Sequence, residues 1–204
     1  GQYEIPGNQE HVEFLEDVKR QGVDGKAKEP AAAGVNPEAL EYGTGQARIL
    51  AYYLTDDRGT RTTAVIKGSS FTLHMRVRFM EHVPAPIFAF TFKNVMGTEI
   101  TGTNSMVEKA FLESAEPGQE KDITFTQKMN LQGGEYLLSL GVTGYNGDTF
   151  EVYHRLYDAL DVTVVSDKNT VGYYDMESVV KVTDAPGEQM EDSGKDAEGQ
   201  ARSS

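Results

Sequence analysis

The sequence contains no cysteine and no tryptophan among its 204 residues. The absence of cysteine excludes disulfides, cysteine-ligated zinc and thiol nucleophiles, and it fits a reducing compartment. No apolar run approaches the roughly 18–20 residues that a membrane-spanning helix needs, and no signal peptide is visible. These absences favour a globular domain that folds without disulfides, and they predict no metal and no cofactor.

Positive charge is also scarce. The chain has 19 Lys and Arg residues against 32 Asp and Glu residues, a formal net charge of −13. Proteins that bind nucleic acid or anionic membrane surfaces need basic patches. The charge balance therefore argues against both of those partners.

The stretch LQGGEYLLSLGVTGYNG, residues 131–147, allows two interpretations. A phosphate-binding loop needs a helix after its glycines and a Lys-Ser or Lys-Thr pair, and neither follows Gly133-Gly134. Instead, apolar residues alternate with others at the period of a strand, and Asn146-Gly147 is a hairpin signal. The stretch is predicted to be a β-strand between two turns.

The amino-acid composition divides the chain into three zones. Residues 1–44 are polar, with a possible short helix over Glu10–Arg20 and then a Pro/Gly/Ala-rich linker. Residues 45–183 carry the fold. Residues 184–204 are acidic with almost nothing to bury, so they are expected to be disordered.

Short alternating runs separated by turns fill the central zone and predict roughly seven to ten strands. Examples are Ala47–Leu54, Arg61–Lys67, Phe150–Leu156 and Leu160–Ser166, with a last strand expected in GYYDMESVVKVT. Because apolar and polar residues alternate, the pairing should be antiparallel, and each sheet should bury one face. The expected fold class is an all-β, antiparallel β-sandwich.

No catalytic constellation is apparent. The four histidines, His11, His74, His82 and His154, lack partners at metal-ligand spacing, and no G-x-S-x-G elbow occurs. Paired carboxylates for glycoside hydrolysis stay open, since their spacing is spatial rather than sequential. We expect a domain that is not an enzyme.

Binding is better supported, by polar residues on the predicted wet faces of strands. Hydroxyl, amide and guanidinium groups on a rigid sheet suit sugar hydroxyls, and a tyrosine ring can lie against a pyranose. An ordinary solvated sheet face explains the same alternation. Small Ala89 and Gly141 could leave room for a concavity, although a glycine can equally mark a bulge. The candidate glycan-binding residues are His74, Arg76, Arg78, Thr91, Ser139, Thr143 and Tyr145, and Tyr153 and Tyr157 are further aromatic candidates.

Three stretches occur in a characteristic order: GTGQARILAYYL with KGSSFTLHMRVRF, then FAFTFKNVMGTEITGTNSM, then LQGGEYLLSLGV. Together they resemble the C-terminal domain of Wzt-type proteins, which are the ATP-binding subunits of O-antigen polysaccharide ABC exporters. The resemblance covers roughly residues 43–183. It implies an immunoglobulin-like sandwich that binds the completed polysaccharide, often at a modified non-reducing end. Gly102–Ser105 matches the family pattern and is expected to form a structural turn. No pocket residue can be carried over by motif.

The resemblance also implies partners and a location. Members form homodimers in which the last strand, here within Gly172–Thr183, can be exchanged. The ATPase would precede Gly1, and the domain would act in the cytoplasm at the inner face of the cytoplasmic membrane, with a membrane ABC-transporter subunit. Arg76 or Arg78 could pair with an anionic terminal group. Two alternatives stay open: a dimerisation or assembly module without a glycan pocket, and a polysaccharide-cleaving enzyme.

Overall fold

A computed structural model describes Asn36 and residues 39–184, and within them the chain forms eleven strands and no helix. In this part of the chain no element can therefore cross a membrane as a helix. The strands are β1 (Leu40–Tyr42), β2 (Ala47–Thr55), β3 (Ala64–Ile66), β4 (Ser70–Phe79), β5 (Val83–Pro84), β6 (Ile87–Asn94), β7 (Glu99–Asn104), β8 (Ser114–Ala115), β9 (Glu120–Lys128), β10 (Gly134–Asn146) and β11 (Thr149–Val165).

The strands form two main sheets. The large sheet has the order β1-β11-β10-β6-β7, with β3 also paired to β11, and the small sheet has the order β2-β4-β9. All neighbours are antiparallel except β3 and β11, which pair in parallel over three residues. A short β5-β8 pair completes the topology. The predicted antiparallel β-sandwich is confirmed.

Aromatic packing between the two sheets forms the core. On β4 every second residue, from Phe71 to Phe79, is at most 2% exposed, as the alternation predicted. Rings of the two sheets meet edge to face, with centroid distances of 6.2 Å for Phe71–Phe92, 6.4 Å for Phe79–Phe88 and 5.1 Å for Phe90–Phe125. Burying each such side chain contributes roughly 1.5–3 kcal/mol to stability, so this layer holds the sheets together.

The hairpin of β10 and β11 forms with its turn one residue later than the predicted Asn146-Gly147 pair. The last paired residues are Asn146 and Thr149, which leaves Gly147 and Asp148 as a two-residue loop. Gly147 has a φ of +61°, which fits the glycine position of a type II′ turn. The predicted strand at residues 131–147 is therefore confirmed as β10.

The structure joins two predicted strands into one. Phe150–Leu156 and Leu160–Ser166 were expected to be separate, but Thr149–Val165 is one continuous strand. The irregularity lies at Asp158, which has a φ of +51° and whose N–H donates to the Ser139 hydroxyl at 3.0 Å. Because the ladder with β10 resumes on both sides, Asp158 marks a bulge rather than a strand end.

The sandwich begins before residue 45. Leu40–Tyr42, which the sequence analysis placed in the connection, pairs with β11 as β1. After it, Gly43 approaches β11 so closely that a Cβ there would lie 2.3 Å from the Tyr153 carbonyl oxygen. The predicted helix over Glu10–Arg20 lies outside the described residues, as does the predicted tail beyond Asp184.

The predicted last strand is wrong for the single chain. Within Gly172–Thr183 only an isolated bridge between Leu131 and Tyr174 forms. The later apolar residues Val179, Val180 and Val182 are 82–96% exposed. Valine favours β-strands, but no described strand edge of the same chain pairs with these residues.

An ion-pair anchor fixes the chain just before this exposed stretch. The Asp175 carboxylate lies 2.8 Å from the Lys67 ammonium and 3.2 Å from that of Lys168. Its backbone N–H donates to the Asn130 carbonyl at 3.1 Å. Hydrogen bonds from Lys67 and the Glu177 backbone hold the pKa of Asp175 well below its usual range.

We expect Asp175→Asn to lower the urea midpoint of unfolding at pH 7, because Lys67 loses its carboxylate partner. A folded-state pKa below the unfolded value means that the contribution is present above the unfolded pKa, about 3.9, and declines as the pH falls below it. The difference in urea midpoint between wild type and variant should therefore become smaller below about pH 4. Urea titrations at several pH values measure it. The control is Asp167→Asn, at an exposed carboxylate that forms no ion pair within the described chain. Equal decreases of the urea midpoint in the two variants would contradict a stabilising role of the Asp175 ion pairs.

Candidate functional site

The predicted binding residues lie on both outer faces of the sandwich. Three belong to β4 in the small sheet: His74, Arg76 and Arg78. Four belong to β6 and β10 in the large sheet: Thr91, Ser139, Thr143 and Tyr145. Because the two sheets pack face to face, their outward residues point in opposite directions. The prediction of one shared polar face is wrong, since alternation shows which residues face away from the core but not which sheet a strand joins.

On the small sheet, the two predicted arginines already have carboxylate partners. Arg76 donates from Nε and Nη2 to the two Asp122 oxygens at 2.7 and 2.9 Å. Arg78 pairs likewise with Glu120 on the same neighbouring strand. The Arg76 hydrogen bond holds the pKa of Asp122 below its ordinary value. These guanidinium groups fit cross-strand pairing better than capture of an anionic sugar group.

His74 also has neighbours of its own on the small sheet. Its ring stacks on Tyr53 at 4.6 Å, and its Nε2 lies 3.0 Å from the Thr55 hydroxyl. The Arg61 guanidinium lies 3.8 Å from the centroid of the Tyr53 ring. Burial, and then the positive charge of Arg61, lower the pKa of His74. The stack occupies the aromatic surface that a sugar would need.

The four residues on the large sheet do come together. They line a concavity of about 590 Å³ on its outer face. Thr91 lies opposite Ser139, and Thr143 follows two register positions beyond Gly141. At the end of β10, the Tyr145 ring packs edge-on against Phe150 at 5.5 Å. Ser139 and Thr143 are buried, at 1% and 6% exposure, and the Ser139 hydroxyl is bonded to Asp158. Thr91 and Tyr145 are therefore the more accessible of the four.

Two glycines shape this concavity in opposite ways. Gly141 lies opposite Ala89 in the middle of the sheet, and among the described residues no atom lies within 4 Å of where its Cβ would be. The irregularities of β10 lie at its neighbours rather than at Gly141, so this glycine leaves room. At Gly102 a Cβ would lie 2.4 Å from the Phe90 carbonyl oxygen, so this glycine lets β7 approach β6.

The expected turn at Gly102–Ser105 is partly strand. Gly102 to Asn104 belong to β7, and the turn begins at Ser105. The Asn104 side-chain oxygen accepts the Val107 N–H at 2.8 Å, and the Ser105 hydroxyl accepts the Phe88 N–H at 3.1 Å. These bonds fix the loop that forms one rim of the concavity, which agrees with a structural role.

Of the two further aromatic candidates, Tyr157 lies beside the concavity, whereas Tyr153 is buried at 2% exposure. The sequence analysis missed Tyr42, Lys93 and Arg155, which surround Tyr157. Tyr157 stacks on Tyr42 of β1 at 5.6 Å, with the Lys93 ammonium 4.6 Å and the Arg155 guanidinium 5.2 Å from its ring centroid. Burial and the hydrogen bond with Tyr42 raise the pKa of Tyr157 well above its ordinary value. The alternation around residues 150–157 could have indicated a strand face, but only the register brings it beside Ser139.

A second hollow, a groove of about 670 Å³, runs between the sheets near β7 and β9. Its lining includes the apolar Phe92, Ile100 and Met129 and the polar Glu99, Gln127 and Lys128. No group of three or more histidines and carboxylates in the described chain could hold a metal ion. The concavity on the large sheet is preferred because four of the predicted binding residues line it.

Comparison with known proteins gives one family match, to the Wzt C-terminal domain over residues 38–176. The chain belongs to the Wzt C-terminal domain family. A crystal structure of the C-terminal domain of Wzt matches with a TM-score of 0.68 and 24% identity, covering 74% of this chain and 92% of that one. This likeness shows the fold. Membership connects the chain with ABC-transporter export of O-antigen, as a non-catalytic domain.

Other similarities are weaker. The CARDB domain of a Pyrococcus furiosus protein matches with a TM-score of 0.35 and 16% identity, covering 61% of this chain and 93% of that one. A Listeria innocua β-glucosidase matches with a TM-score of 0.27 and 13% identity, covering 56% and 16%. Neither carries an argument about this domain. No curated protein sequence matches the chain significantly.

The two glycines give a matched test of the geometry. Gly102→Ala should destabilise the domain by about 1–3 kcal/mol, because its Cβ has to displace the backbone of β6. Gly141→Ala should be neutral or stabilising by up to about 1 kcal/mol, since its φ suits any residue and space is open. Urea unfolding of both variants measures the difference. A larger loss of unfolding free energy in Gly141→Ala than in Gly102→Ala would contradict the described sheet geometry.

Proposed function

We propose that this domain binds the completed O-antigen-type polysaccharide, in its non-reducing terminal region, and so selects it for export. Binding takes place in the concavity of the large sheet. The domain would act at the inner face of the cytoplasmic membrane as part of the ABC transporter. The observation that carries this proposal is the open space above Gly141, within a central strand of a well-packed sheet.

A glycine in a strand interior weakens the strand, and it often marks a place where a ligand comes close to the backbone. Here the space above Gly141 is bordered by the hydroxyl-bearing residues Thr91 and Thr143 and by the Arg155 side chain. These groups offer donors and acceptors to sugar hydroxyls. Each such hydrogen bond adds a net gain of about 0.5–1.5 kcal/mol, so the affinity for a single sugar should be modest.

Gly141→Leu should abolish polysaccharide binding without unfolding the domain. The leucine side chain would fill the floor of the concavity, where a Cβ meets no described atom. Titration of the purified domain with the polysaccharide of its source organism, by calorimetry, measures the loss, and urea unfolding verifies the fold. We expect at least about a tenfold weaker affinity.

The matched control is Thr124→Leu, which adds an apolar side chain to the exposed outer face of the small sheet. It should leave binding unchanged, as should Arg76→Ala. If Thr124→Leu or Arg76→Ala weakened binding while Gly141→Leu did not, the site would lie on the small sheet. If the folded wild type bound no polysaccharide, the domain would act as an assembly module.

The proposal includes a homodimer in which the C-terminal segment of each chain adds to the other. The exposed Val179, Val180 and Val182 follow directly after the Asp175 anchor. Strands β7 and β9 each have one neighbour among the described strands, so each leaves one edge unpaired. An edge of this kind accepts an added strand through backbone hydrogen bonds.

The groove between these edges supports β9 as the acceptor. The Gln127 side chain lines it, and its buried Nε2 has no hydrogen-bond partner among the described residues. A strand from the second copy would bring a backbone carbonyl to that donor. It would also cover the apolar side chains that line the groove.

Val180→Pro should shift the domain from dimer to monomer. Proline removes a ladder donor and is excluded from the interior of a sheet, whereas the side chain it replaces is 82% exposed in the single chain. Sedimentation equilibrium measures the mass, and Val180→Thr, which keeps β-branching, is the control. A dimer that survives Val180→Pro would rule out exchange of this segment.

A further inference from the structure

Arg155 connects the concavity on the large sheet with the first strand of the domain, β1. Its side chain lines the concavity. In the register of the sheet, Arg155 lies between Gly141 of β10 on one side and Tyr42 of β1 on the other. Residues that are opposite each other in an antiparallel pair share a face of the sheet. The Tyr42 side chain therefore lies on the same face as the arginine that borders the concavity.

An aromatic ring, rather than a carboxylate, holds the Arg155 guanidinium. The guanidinium lies 5.2 Å from the centroid of the Tyr157 ring, within the roughly 6 Å over which a ring attracts a cation. Arg155 forms no ion pair with any residue that the structure describes, whereas Arg76 and Arg78 each pair with a carboxylate. A ring restricts the position of the side chain without using up its N–H donors.

Tyr157 is in turn supported by Tyr42. The two rings stack with their centroids 5.6 Å apart and their planes at 16°, and their hydroxyl oxygens lie 3.4 Å apart. Tyr157 is buried and Tyr42 is half-buried. If the Tyr42 ring were removed, the Tyr157 ring would lose this stacking partner, and Arg155 would rest on a ring that is less well fixed.

Few groups hold β1 to the sandwich, so each of them matters for its docking. The strand has three residues, Leu40–Tyr42, and lies at an edge of the large sheet. The Glu41 carboxylate lies 2.7 Å from His154 Nε2, and His154 Nδ1 accepts the Ile49 N–H at 2.9 Å. Because Nδ1 accepts, Nε2 carries the proton and donates it to Glu41. Two adjacent side chains of β1, Glu41 and Tyr42, thus fasten it to β11.

We infer that Tyr42 is a positioning residue for polysaccharide binding, and that docking of β1 and binding in the concavity stabilise each other. This inference rests on the proposed function. Tyr42 does not contact the ligand. It holds Tyr157, and Tyr157 holds Arg155 in the orientation in which its N–H donors meet the sugar hydroxyls. A ligand that engages Arg155 favours the docked form of β1 in return, since coupling between two binding events is reciprocal.

The physical basis is the conformational freedom of the arginine side chain. A long charged side chain loses freedom when a ligand immobilises it, and this loss opposes binding. A side chain that the Tyr157 ring already restricts loses less. Contacts between stacked rings, and between a ring and a cation, correspond to factors of about two to ten in an equilibrium constant.

The experiment measures binding of the source organism's polysaccharide to variants by calorimetry, with urea unfolding to verify the fold. Tyr42→Leu keeps apolar volume but removes the stacked ring, and Tyr42→Phe keeps the ring. The matched control is Tyr53→Leu on the opposite sheet, because Tyr53 also stacks on a ring, that of His74, next to the Arg61 guanidinium. Arg155→Ala, alone and combined with Tyr42→Leu, tests whether the two residues act together.

Hydrogen exchange of backbone amides measures the reverse effect, from the ligand to β1. A saturating concentration of polysaccharide should slow exchange at residues 40–45 of the wild type, although none of these residues lines the concavity. The protection should be smaller in Arg155→Ala, because the connection through the guanidinium is lost. A merely structural role of Tyr42 would not produce this dependence on the ligand.

We expect Tyr42→Leu to weaken binding about three- to tenfold and to cause no further loss in Arg155→Ala. Tyr42→Phe and Tyr53→Leu should bind within about twofold of the wild type. Unchanged affinity of Tyr42→Leu, an equal loss in Tyr53→Leu, additive losses in the double variant or unchanged exchange of the β1 amides would overturn the inference. If Gly141→Leu still abolished binding in that case, the proposed function would stand alone. If the folded wild type bound no polysaccharide, both would be overturned.

Discussion

The edge-to-face packing of phenylalanines between the two sheets is the interaction on which the rest of the structure depends. Phe71, Phe79 and Phe125 of the small sheet meet Phe92, Phe88 and Phe90 of the large one. The chain has no cysteine for a disulfide, so this layer, together with the aliphatic side chains of the same core, sets the distance and angle between the sheets. Because every second residue of these strands is committed to the layer, the remaining residues face outward on two opposite surfaces. The surface proposed for binding is thus a consequence of how the core is filled.

The rigidity of that core gives the concavity its shape. Strands β6 and β10 lie inside the large sheet, with neighbours on both sides, so the groups on their outer face hold fixed positions. Gly102 lets the edge strand β7 approach β6, and Gly141, although buried, leaves space for a side chain at the centre of the sheet. Small residues in the middle and larger ones on the rims produce a hollow without any long loop. Sites on strands hold their geometry better than sites on mobile loops.

The edges of the sandwich impose a different constraint. A β-sheet with unpaired edges exposes backbone donors and acceptors, and β7 and β9 each leave one such edge among the described strands. The chain itself carries a β-forming segment with no place to pair, held at its start by the Asp175 ion pairs. The anchor fixes the point at which this segment leaves the domain.

The sequence by itself determined the fold class and most of the strands. Alternation placed β2 and β10 nearly in full, because side chains on a half-buried strand must alternate. It also pointed to Ala89 and Gly141 as room for a hollow, which the structure contains. Only the tertiary structure decided which strands share a sheet, since pairing depends on contacts distant along the chain. For this reason His74, Arg76 and Arg78 lie on the opposite face from Thr91, Ser139 and Tyr145. For the same reason Arg155 and Phe150 enter the concavity only through the register of β11 with β10, which no local pattern specifies.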